Sequence, residues 1–455
     1  MTRHSVSRLW QFCVLLCCLL GWAGARASAE LSLELGSTRS QCLVGEYFYV
    51  TITLTNVGLH DAPFTILLDP EVGIVTFEIV TPDGQTHTYR PRGAAEVGLK
   101  GIQDSIVWLA PGSQYTHSVD LSYELRRVPG KTGGWYQANG EIKPLRGADE
   151  VRPEMLLSAP GEYSIRACYE IPADWPLDPV TLWSNELTAS VAEPTGADRA
   201  AYQVIQAGPR TQEQGPWNAY EEQAQYYEQI LRDYPQCAYA AYARWSLGSI
   251  RGLAGSHFLR GKPEAVGALE SAADLFLSVA RDAGRTPFGL RATEAAAKSL
   301  AKLGRSAEAQ ALLEDAFVWP TTTDSDRARL VAWMDHIETG YFQRSAGLGA
   351  HSAAGTQLSL PLRQFAQALG FSVDWAGVGN SVTVSSPRVK AILRPGQEYM
   401  MVNGLRRIGV RTSLNDGHTL VSPSVIATLM AEHYGKGMAS AFPQLIAKAD
   451  TASAH

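Results

Sequence analysis

Apolar and polar side chains alternate with a period of two through much of residues 30–195, and this pattern predicts β-strands. In the stretch YFYVTITLTN, Phe48, Val50, Ile52 and Leu54 alternate with tyrosine and threonine, as expected of a strand that buries one face. The alternation recurs at residues 75–79, 115–121, 163–169 and 187–191. Because Pro-Gly and Pro-Asp-Gly turn signals separate these short strands, we predict an all-β sandwich.

Four phrases of this region resemble strands of bacterial immunoglobulin-like domains: GEYFYVTITLTNVG, VTPDGQ, LAPGSQY and APGEYSIRACYE. The resemblance implies a binding or spacer module without catalytic chemistry. The segment 130–153 interrupts the strand rhythm and is predicted to be a long loop. Its Trp135 and Tyr136 fit two interpretations: the rings stack on a sugar or a peptide, or they cover the edge of the sandwich.

The apolar period changes to that of a helix in residues 198–340, where alanine becomes frequent. Pro235 and Pro287 mark equivalent points of two units, each predicted as a helix, a proline-containing turn and a second helix. The phrase GRSAEAQALLEDAF predicts the first helix of another unit. The central region is therefore expected to be an array of helices.

This helical region resembles the tetratricopeptide-like repeats of bacterial envelope proteins. The resemblance is carried by Tyr234-Pro235, Tyr239-Ala240, Ala243 and Leu247-Gly248. The two units are further apart than the usual repeat period of roughly 34 residues, so we expect an insertion at about residues 251–263. The resemblance implies a curved surface that holds a peptide or a protein, and a small helical spacer is the alternative.

The stretch LSLPLRQFAQALGFSVDW, residues 358–375, predicts a strand, a short helix and a second strand. Pro361 is expected to open the helix, since proline is well tolerated in a first turn. Phe365 and Ala366 mark its buried face, and Gly370 is expected to end it. The C-terminal part is therefore predicted to be a small α+β domain.

Residues 357–435 resemble the copper amine oxidase N-terminal-like domain of secreted bacterial proteins. The matching positions are Leu360-Pro361-Leu362-Arg363, Ala366, Leu369-Gly370, Val373, Trp375 and Val402-Asn403-Gly404. A second, degenerate copy of the phrase departs from the family pattern, with Val421-Ser422-Pro423-Ser424 in place of Val-Pro-Leu-Arg. The resemblance implies a stalk or surface-binding unit without metal, because the copper and the quinone of amine oxidases belong to another domain.

The N-terminal segment has the features of a secretory signal. Arg3 and Arg8 precede an apolar run, and small residues end at Ala29, so we predict a signal peptide over residues 1–29 with cleavage after Ala29. The apolar run is shorter than the roughly 20 residues of a spanning helix, which disfavours the alternative of an uncleaved anchor. After cleavage we expect no transmembrane span, and the protein is predicted to be secreted or associated with the cell envelope.

The remaining segments and the charge complete this organisation. The glycine-rich residues 341–356 are predicted to be a linker, and residues 436–455 a tail. The fold class is therefore multidomain: an all-β sandwich, an α-helical repeat array and a small α+β domain. The formal net charge is −6, and loss of the signal arginines makes the chain more acidic still, so nucleic acid is not an expected partner.

Cys42, Cys168 and Cys237 remain after signal cleavage. Cys42 and Cys168 are a candidate disulfide because they lie near the two ends of the predicted sandwich. Strand parity argues against the bond, since Cys42 shares the face of Val44 whereas Cys168 shares the polar face of Arg166; a bulge would be needed. Cys237 is predicted to pack between two helices rather than to act as a nucleophile.

The sequence contains no strong enzyme signature. It has no His-Glu-x-x-His, no Gly-x-Ser-x-Gly, no phosphate loop and no dinucleotide fingerprint. We therefore predict a protein that is not an enzyme and needs neither cofactor nor metal. Its role would be binding or scaffolding, with the helices contacting an envelope protein or peptide and the end modules providing surface attachment or spacing.

Two alternatives remain open. In the first, the protein binds cell-wall carbohydrate through Trp135, Tyr136 or Trp375. In the second, it is an unrecognised secreted hydrolase.

Overall fold

The computed structural model describes three regions of the chain: an N-terminal β-rich region, a central helical region and a C-terminal small sheet domain. The described residues are 31–66, 68, 74–89, 105–121, 123–132, 135–138, 141–144, 149–171, 177, 179–207, 216–338, 360–376, 381–394, 399–403, 405–408, 412–415 and 418–434. The predicted signal peptide, linker and tail lie outside them. The predicted order of a β-rich region, a helical region and a small sheet domain is confirmed.

The N-terminal region consists of strands. They are β1 Leu31–Ser37, β2 Gln41–Leu43, β3 Tyr49–Asn56, β4 Ala62–Thr65, β5 Val75–Val80, β6 Thr86–Tyr89, β7 Ile106–Leu109, β8 Gln114–Asp120, β9 Tyr123–Thr132, β10 Trp135–Ala138, β11 Glu141–Pro144, β12 Asp149–Met155, β13 Gly161–Ile171, β14 Val180–Trp183 and β15 Leu187–Ala192. A three-stranded sheet has the order β1-β3-β8, and a six-stranded sheet has the order β2-β15-β13-β5-β6 with β14 also paired to β13. The pairs β4-β7, β9-β12 and β10-β11 are separate.

The alternating pattern predicted the buried faces of the main strands correctly. Ile52 and Leu54 of β3 are buried, as are Phe77 of β5 and Tyr163 and Ile165 of β13. The buried faces of both sheets contribute to one hydrophobic core. Burial of these side chains on one face of each strand is the main reason that the strands adopt this register.

The prediction of a long loop at residues 130–153 is wrong. The chain instead forms two antiparallel pairs there, with β9 on β12 and β10 on β11. The register shifts between Asp149 and Glu150, as at a bulge. The pairing of β9 with β12 joins separated segments, which a local apolar pattern does not encode. The pair β10-β11 had a local signal, because only Asn139-Gly140, a typical two-residue hairpin sequence, separates its strands.

The central region consists of consecutive helices. They are α1 Gly196–Ala207, α2 Pro216–Asp233, α3 Ala240–Leu253, α4 Glu264–Ala283, α5 Pro287–Lys302, α6 Ser306–Phe317 and α7 Asp324–Glu338. Each helix packs against the next one along the chain. The expected insertion contains a π-helical turn at Ala254–Phe258, which leads through tight turns into α4.

The turn between α4 and α5 shows how the sequence starts a helix. Thr286 is the N-cap of α5, and its hydroxyl accepts a hydrogen bond of 3.1 Å from the Gly289 backbone N–H. Pro287 occupies the first turn, where no backbone donor is needed. A Cβ atom at Gly289 would lie 1.9 Å from the Gly284 carbonyl oxygen, so this tight turn requires glycine.

Glycine also allows α3 to approach α4 closely, and this contact yields a stability prediction. A Cβ atom at Gly248 would lie 2.9 Å from Cε1 of Phe276. We expect Gly248→Ala to destabilise the protein by about 1–2 kcal/mol in urea unfolding, because overpacking outweighs the gain in helix propensity. Gly267→Ala on α4 is the matched control, since nothing lies within 4 Å of its Cβ position; a stability change of equal sign in both variants would contradict the prediction.

The C-terminal region combines two sheets with two helices. Its elements are β16 Leu360–Pro361, α8 Leu362–Ala368, β17 Ser372–Ala376, β18 Ser381–Ser385, β19 Lys390–Leu393, β20 Tyr399–Val402, β21 Leu405–Ile408, β22 Thr412–Asn415, β23 His418–Val421 and α9 Pro423–Tyr434. Strands β17 to β21 form a five-stranded sheet in chain order, and β16, β23 and β22 form a three-stranded sheet.

The predicted strand-helix-strand unit is present here with one shift. Phe365 and Ala366 are buried, and Gly370 ends α8 with a φ of 78°. Pro361 does not open the helix but pairs with Leu420 as the last residue of β16. Strand pairing has displaced the helix start by one residue, a shift within the usual uncertainty of helix ends.

Buried residues of the N-terminal strands, of α4 to α7 and of the C-terminal region belong to one hydrophobic core, whereas those of α1 to α3 form a second one. Phe317 at the end of α6 contacts Phe365 of α8, with ring centroids 4.2 Å apart. Tyr115 of β8 meets Tyr434 of α9 edge to face at 6.1 Å. The C-terminal region therefore packs against both the helices and the N-terminal strands.

Candidate functional site

A shallow cleft of about 610 Å³ opens on the exposed face of α4. Side chains one turn apart on this helix share a face, and the stripe along the cleft is polar or small. It is lined by Leu231 of α2, Arg244 of α3 and, on α4, Gly267, Glu270, Ser271, Asp274, Leu275 and Ser278. Since Gly267 leaves open space, the helix backbone is accessible at one end of the cleft.

The cleft contains carboxylates without close partners. Glu270 and Asp274 are exposed and make no hydrogen bond or ion pair with any residue in the described part of the chain. Arg305 interacts with both at longer range, but its guanidinium donates to Glu308 at 2.8 and 2.6 Å. Arg244 is paired with Asp282. The nearby cations are thus already engaged, and the cleft favours a basic ligand.

The aromatic side chains that the sequence singled out do not line this cleft. Trp135 and Tyr136 begin β10 and pair with Pro144 and Lys143 of β11; their side chains lie outside the described part of the structure. Trp375 lies on β17, an edge strand of the C-terminal sheet, and is 41% exposed. The structure does not bring these residues together with the cleft.

The candidate disulfide between Cys42 and Cys168 is not formed in this structure, and Cys42, Cys168 and Cys237 are buried thiols. Cys42 on β2 pairs with Val191 of β15, whereas Cys168 on β13 pairs with Thr76 of β5. A whole strand separates the two cysteines within the sheet. Burial raises the pKa of the Cys42 thiol to about 11 and also raises that of Cys237, which disfavours the reactive thiolate.

A buried polar junction joins the three regions at the start of α7. The Asp324 carboxylate accepts hydrogen bonds from the backbone N–H of Thr116 at 2.9 Å and its hydroxyl at 3.0 Å. Its other oxygen accepts the hydroxyl of Tyr434 at 3.0 Å. One carboxylate therefore connects β8, α7 and α9.

A serine and a histidine also meet at this junction. The Ser325 hydroxyl lies 2.8 Å from Nδ1 of His117. Such a pair can activate a nucleophile where a substrate reaches it. Here His117 is 6% exposed and Ser325 is 2% exposed, so we assign the contact to the packing of α7 on β8.

Behind the junction lies a buried group of ions. Arg329 donates to Glu294 at 2.6 Å and to Asp326 at 2.6 Å, and all three side chains are buried. Burial by itself raises the pKa of Asp326, but the charges of Arg329 and Arg291 and hydrogen bonds from Thr323 outweigh it, so the pKa falls to about 2. This arrangement keeps Asp326 ionised at neutral pH.

The sequence did not identify the cleft on α4. The only available signal was the spacing of Glu270, Ser271, Asp274 and Ser278 opposite an apolar stripe. A polar helix face of this kind is usually solvated, and its concavity depends on Leu231 and Arg244 from other helices. Within the described ranges, no three His, Cys, Asp or Glu side chains are arranged to hold a metal ion. None of the described helices is both long and apolar enough to cross a membrane.

Three solved structures have low similarity to this chain. A β-glucosidase from Listeria innocua in complex with glucose is 10% identical over 36% of this chain and 16% of its own, with a TM-score of 0.17. The alkylpurine DNA glycosylase AlkC from Pseudomonas fluorescens is 12% identical over 38% and 33%, with a TM-score of 0.18. The sporulation control protein Spo0M from Bacillus subtilis is 9% identical over 39% and 55%, with a TM-score of 0.19. No conclusion about fold follows from these values.

The comparison with protein families is informative for one segment. No curated protein matches the chain. Residues 353–434 match the family model of the copper amine oxidase N-terminal domain. The resemblance inferred from the stretch LSLPLRQFAQALGFSVDW is confirmed for this segment by the match.

Proposed function

We propose that this protein is a non-catalytic binding protein of the cell envelope whose helical region holds a peptide segment of a partner protein. In this proposal residues 1–29 are a signal peptide, the N-terminal strands are an immunoglobulin-like sandwich and the helices are tetratricopeptide-like repeats. The C-terminal domain provides attachment or spacing. The cleft on α4 is the observation that carries the proposal.

The shape of the cleft supports a chain-like ligand. It runs along successive turns of α4 and is bounded by Leu231 of the neighbouring α2. Leu231 and Leu275 offer a small apolar contact, whereas Ser271 and Ser278 offer hydroxyl groups. A peptide uses both kinds of contact, because its side chains and its backbone need different partners.

The charge of the cleft supports a basic peptide. Glu270 and Asp274 lie one turn apart and lack close cationic partners in the described part of the chain. A lysine or arginine side chain placed between them gains charge-assisted hydrogen bonds. We therefore propose that the recognised segment carries at least one basic residue.

The experiment is a selection of displayed twelve-residue peptides on the chain spanning residues 30–455, followed by titration of the selected peptides. We expect basic peptides to be enriched. The double variant Glu270→Gln/Asp274→Asn should weaken their binding by about tenfold, because each exposed ion pair contributes up to about 1 kcal/mol.

Glu264→Gln is the matched control, since it removes one carboxylate from the same helix outside the cleft. Its affinity should stay within about twofold of the unmodified chain. Enriched peptides that bind the double variant as tightly as the unmodified chain would refute a role for this cleft. Failure to enrich any saturable basic peptide would refute the proposed function.

A further inference from the structure

The six-stranded sheet presents an outer face on the side away from the hydrophobic core. The three-stranded sheet, by contrast, is covered by α7, through Thr116 and His117 of β8. On the six-stranded sheet the row opposite Phe77 and Ile165 carries one large aromatic ring, Trp183, which is 47% exposed. Thr76 and Cys168 on this face are buried, whereas Glu78 and Arg166 are half-buried and Thr88 is exposed.

The side chains of this outer face are direct neighbours on adjacent strands. Arg166 of β13 is the cross-strand partner of Glu78 of β5, and Glu78 is the partner of Thr88 of β6. Trp183 of β14 is the partner of Cys168, two residues further along β13. Since side chains two apart on a strand share a face, an aromatic ring, a guanidinium, a carboxylate and a hydroxyl form one continuous surface.

The polar groups of this surface are not engaged with one another. The Arg166 guanidinium lies over the Trp183 ring, 5.0 Å from its centroid. Within the part of the chain that the structure describes, Arg166, Glu78 and the indole N–H of Trp183 make no hydrogen bond or ion pair. These donors and acceptors are available to a ligand lying across β13.

We propose that this surface, defined by Trp183, Arg166, Glu78 and Thr88, binds a neutral polysaccharide. A sugar ring has an apolar C–H face that packs on an aromatic ring and hydroxyl groups that both donate and accept hydrogen bonds. The surface supplies that combination: a half-exposed indole beside a free donor and a free acceptor. Arg166 holds the ring in place, so little conformational freedom is lost on binding.

Other ligand classes fit this surface less well. A protein interface needs a desolvated apolar centre, and Trp183 is the single large apolar side chain exposed here within the described residues. Glu78, Glu162 and Glu170 surround Arg166 on the same face and repel an anionic polymer. The ligand is therefore neutral, and the site is independent of the α4 cleft and of Trp135, Tyr136 and Trp375.

The test is electrophoresis of the chain spanning residues 30–455 in native gels that contain laminarin, xylan or glycol chitin, with alginate as an anionic glycan. We expect at least one neutral glycan to retard the protein and alginate to have no effect. Trp183→Ala should raise the dissociation constant by about tenfold. Glu78→Gln should raise it by about threefold, because a neutral acceptor replaces a charged one.

Trp108→Ala is the control, since it removes another half-exposed tryptophan from a different strand pair, and the retardation of this variant should equal that of the unmodified chain. Circular dichroism verifies that Trp183→Ala is folded; if it is not, Glu78→Gln decides. The proposal is overturned if no neutral glycan retards the protein, if alginate alone does, or if Glu78→Gln and a folded Trp183→Ala bind as the unmodified chain does. It is equally overturned if Trp108→Ala abolishes retardation.

Discussion

Replacement of Arg329 by methionine is expected to destabilise the protein by about 3–5 kcal/mol in urea unfolding at neutral pH. The guanidinium donates to Glu294 and Asp326, and all three side chains are buried. Its removal leaves two buried carboxylates near each other without their shared cation. The large effect comes from these uncompensated charges rather than from the lost attraction alone.

Arg305→Met is the matched control because it removes a guanidinium from a pair with Glu308 in the same helical region. That pair is solvent-exposed, so the loss of stability should be much smaller than for Arg329→Met. Adding Glu294→Gln and Asp326→Asn to Arg329→Met should recover part of the lost stability. If Arg329→Met costs no more than Arg305→Met, the buried ions are not a stabilising unit.

The buried ions around Arg329 also predict how the stability of the protein depends on pH. The pKa of Asp326 is lowered from 3.8 to about 2 in the folded protein. A depressed carboxyl pKa contributes stability above its unfolded value, and that contribution is lost as the pH falls from about 4 towards 2. The shift corresponds to about 2 kcal/mol. Asp326→Asn should therefore be less stable at neutral pH and should show a smaller loss of stability over this pH window.

The second large effect is expected at Asp324, where Asp324→Ala should destabilise the protein by about 3 kcal/mol. The variant loses the hydrogen bonds from Thr116 and from Tyr434, and it leaves the part-buried donors of Thr116 and the buried hydroxyl of Tyr434 without this acceptor. Because this carboxylate joins three regions, we also expect hydrogen exchange to increase in β8 and α9 together. Urea unfolding and hydrogen exchange measure the two consequences.

Tyr434→Phe removes one of these hydrogen bonds but keeps the ring that contacts Tyr115, so its cost should be about 1 kcal/mol. Asp83→Ala is a control on an exposed carboxylate in the turn between β5 and β6, where Asp83 accepts a hydrogen bond from Thr81. Asp83→Ala should change the stability much less than Asp324→Ala does, because this carboxylate is exposed. Increased exchange confined to α7 after Asp324→Ala would show that the carboxylate does not connect the regions.

The aromatic residues named from sequence illustrate why candidate binding sites were harder to predict than strands. Trp375 is half-exposed as a binding residue would be, but it lies on an edge strand apart from the cleft and the sheet surface. Trp183 is the last residue of the short strand β14. Its significance depends on Arg166 and Glu78, which come from other strands of the sheet.

The sequence by itself determined which residues form the main strands and helices and which of their faces are buried. The period of two in β3 and the buried face of α8, marked by Phe365 and Ala366, are local patterns. Gly370 ends α8 because the backbone there has a positive φ, which residues other than glycine disfavour. Tertiary structure decided the pairing of β9 with β12, the contact of Asp324 with Thr116 and Tyr434, and the surface around Trp183. A local pattern specifies that a face is buried, whereas its partner depends on the packing of segments far apart in the chain.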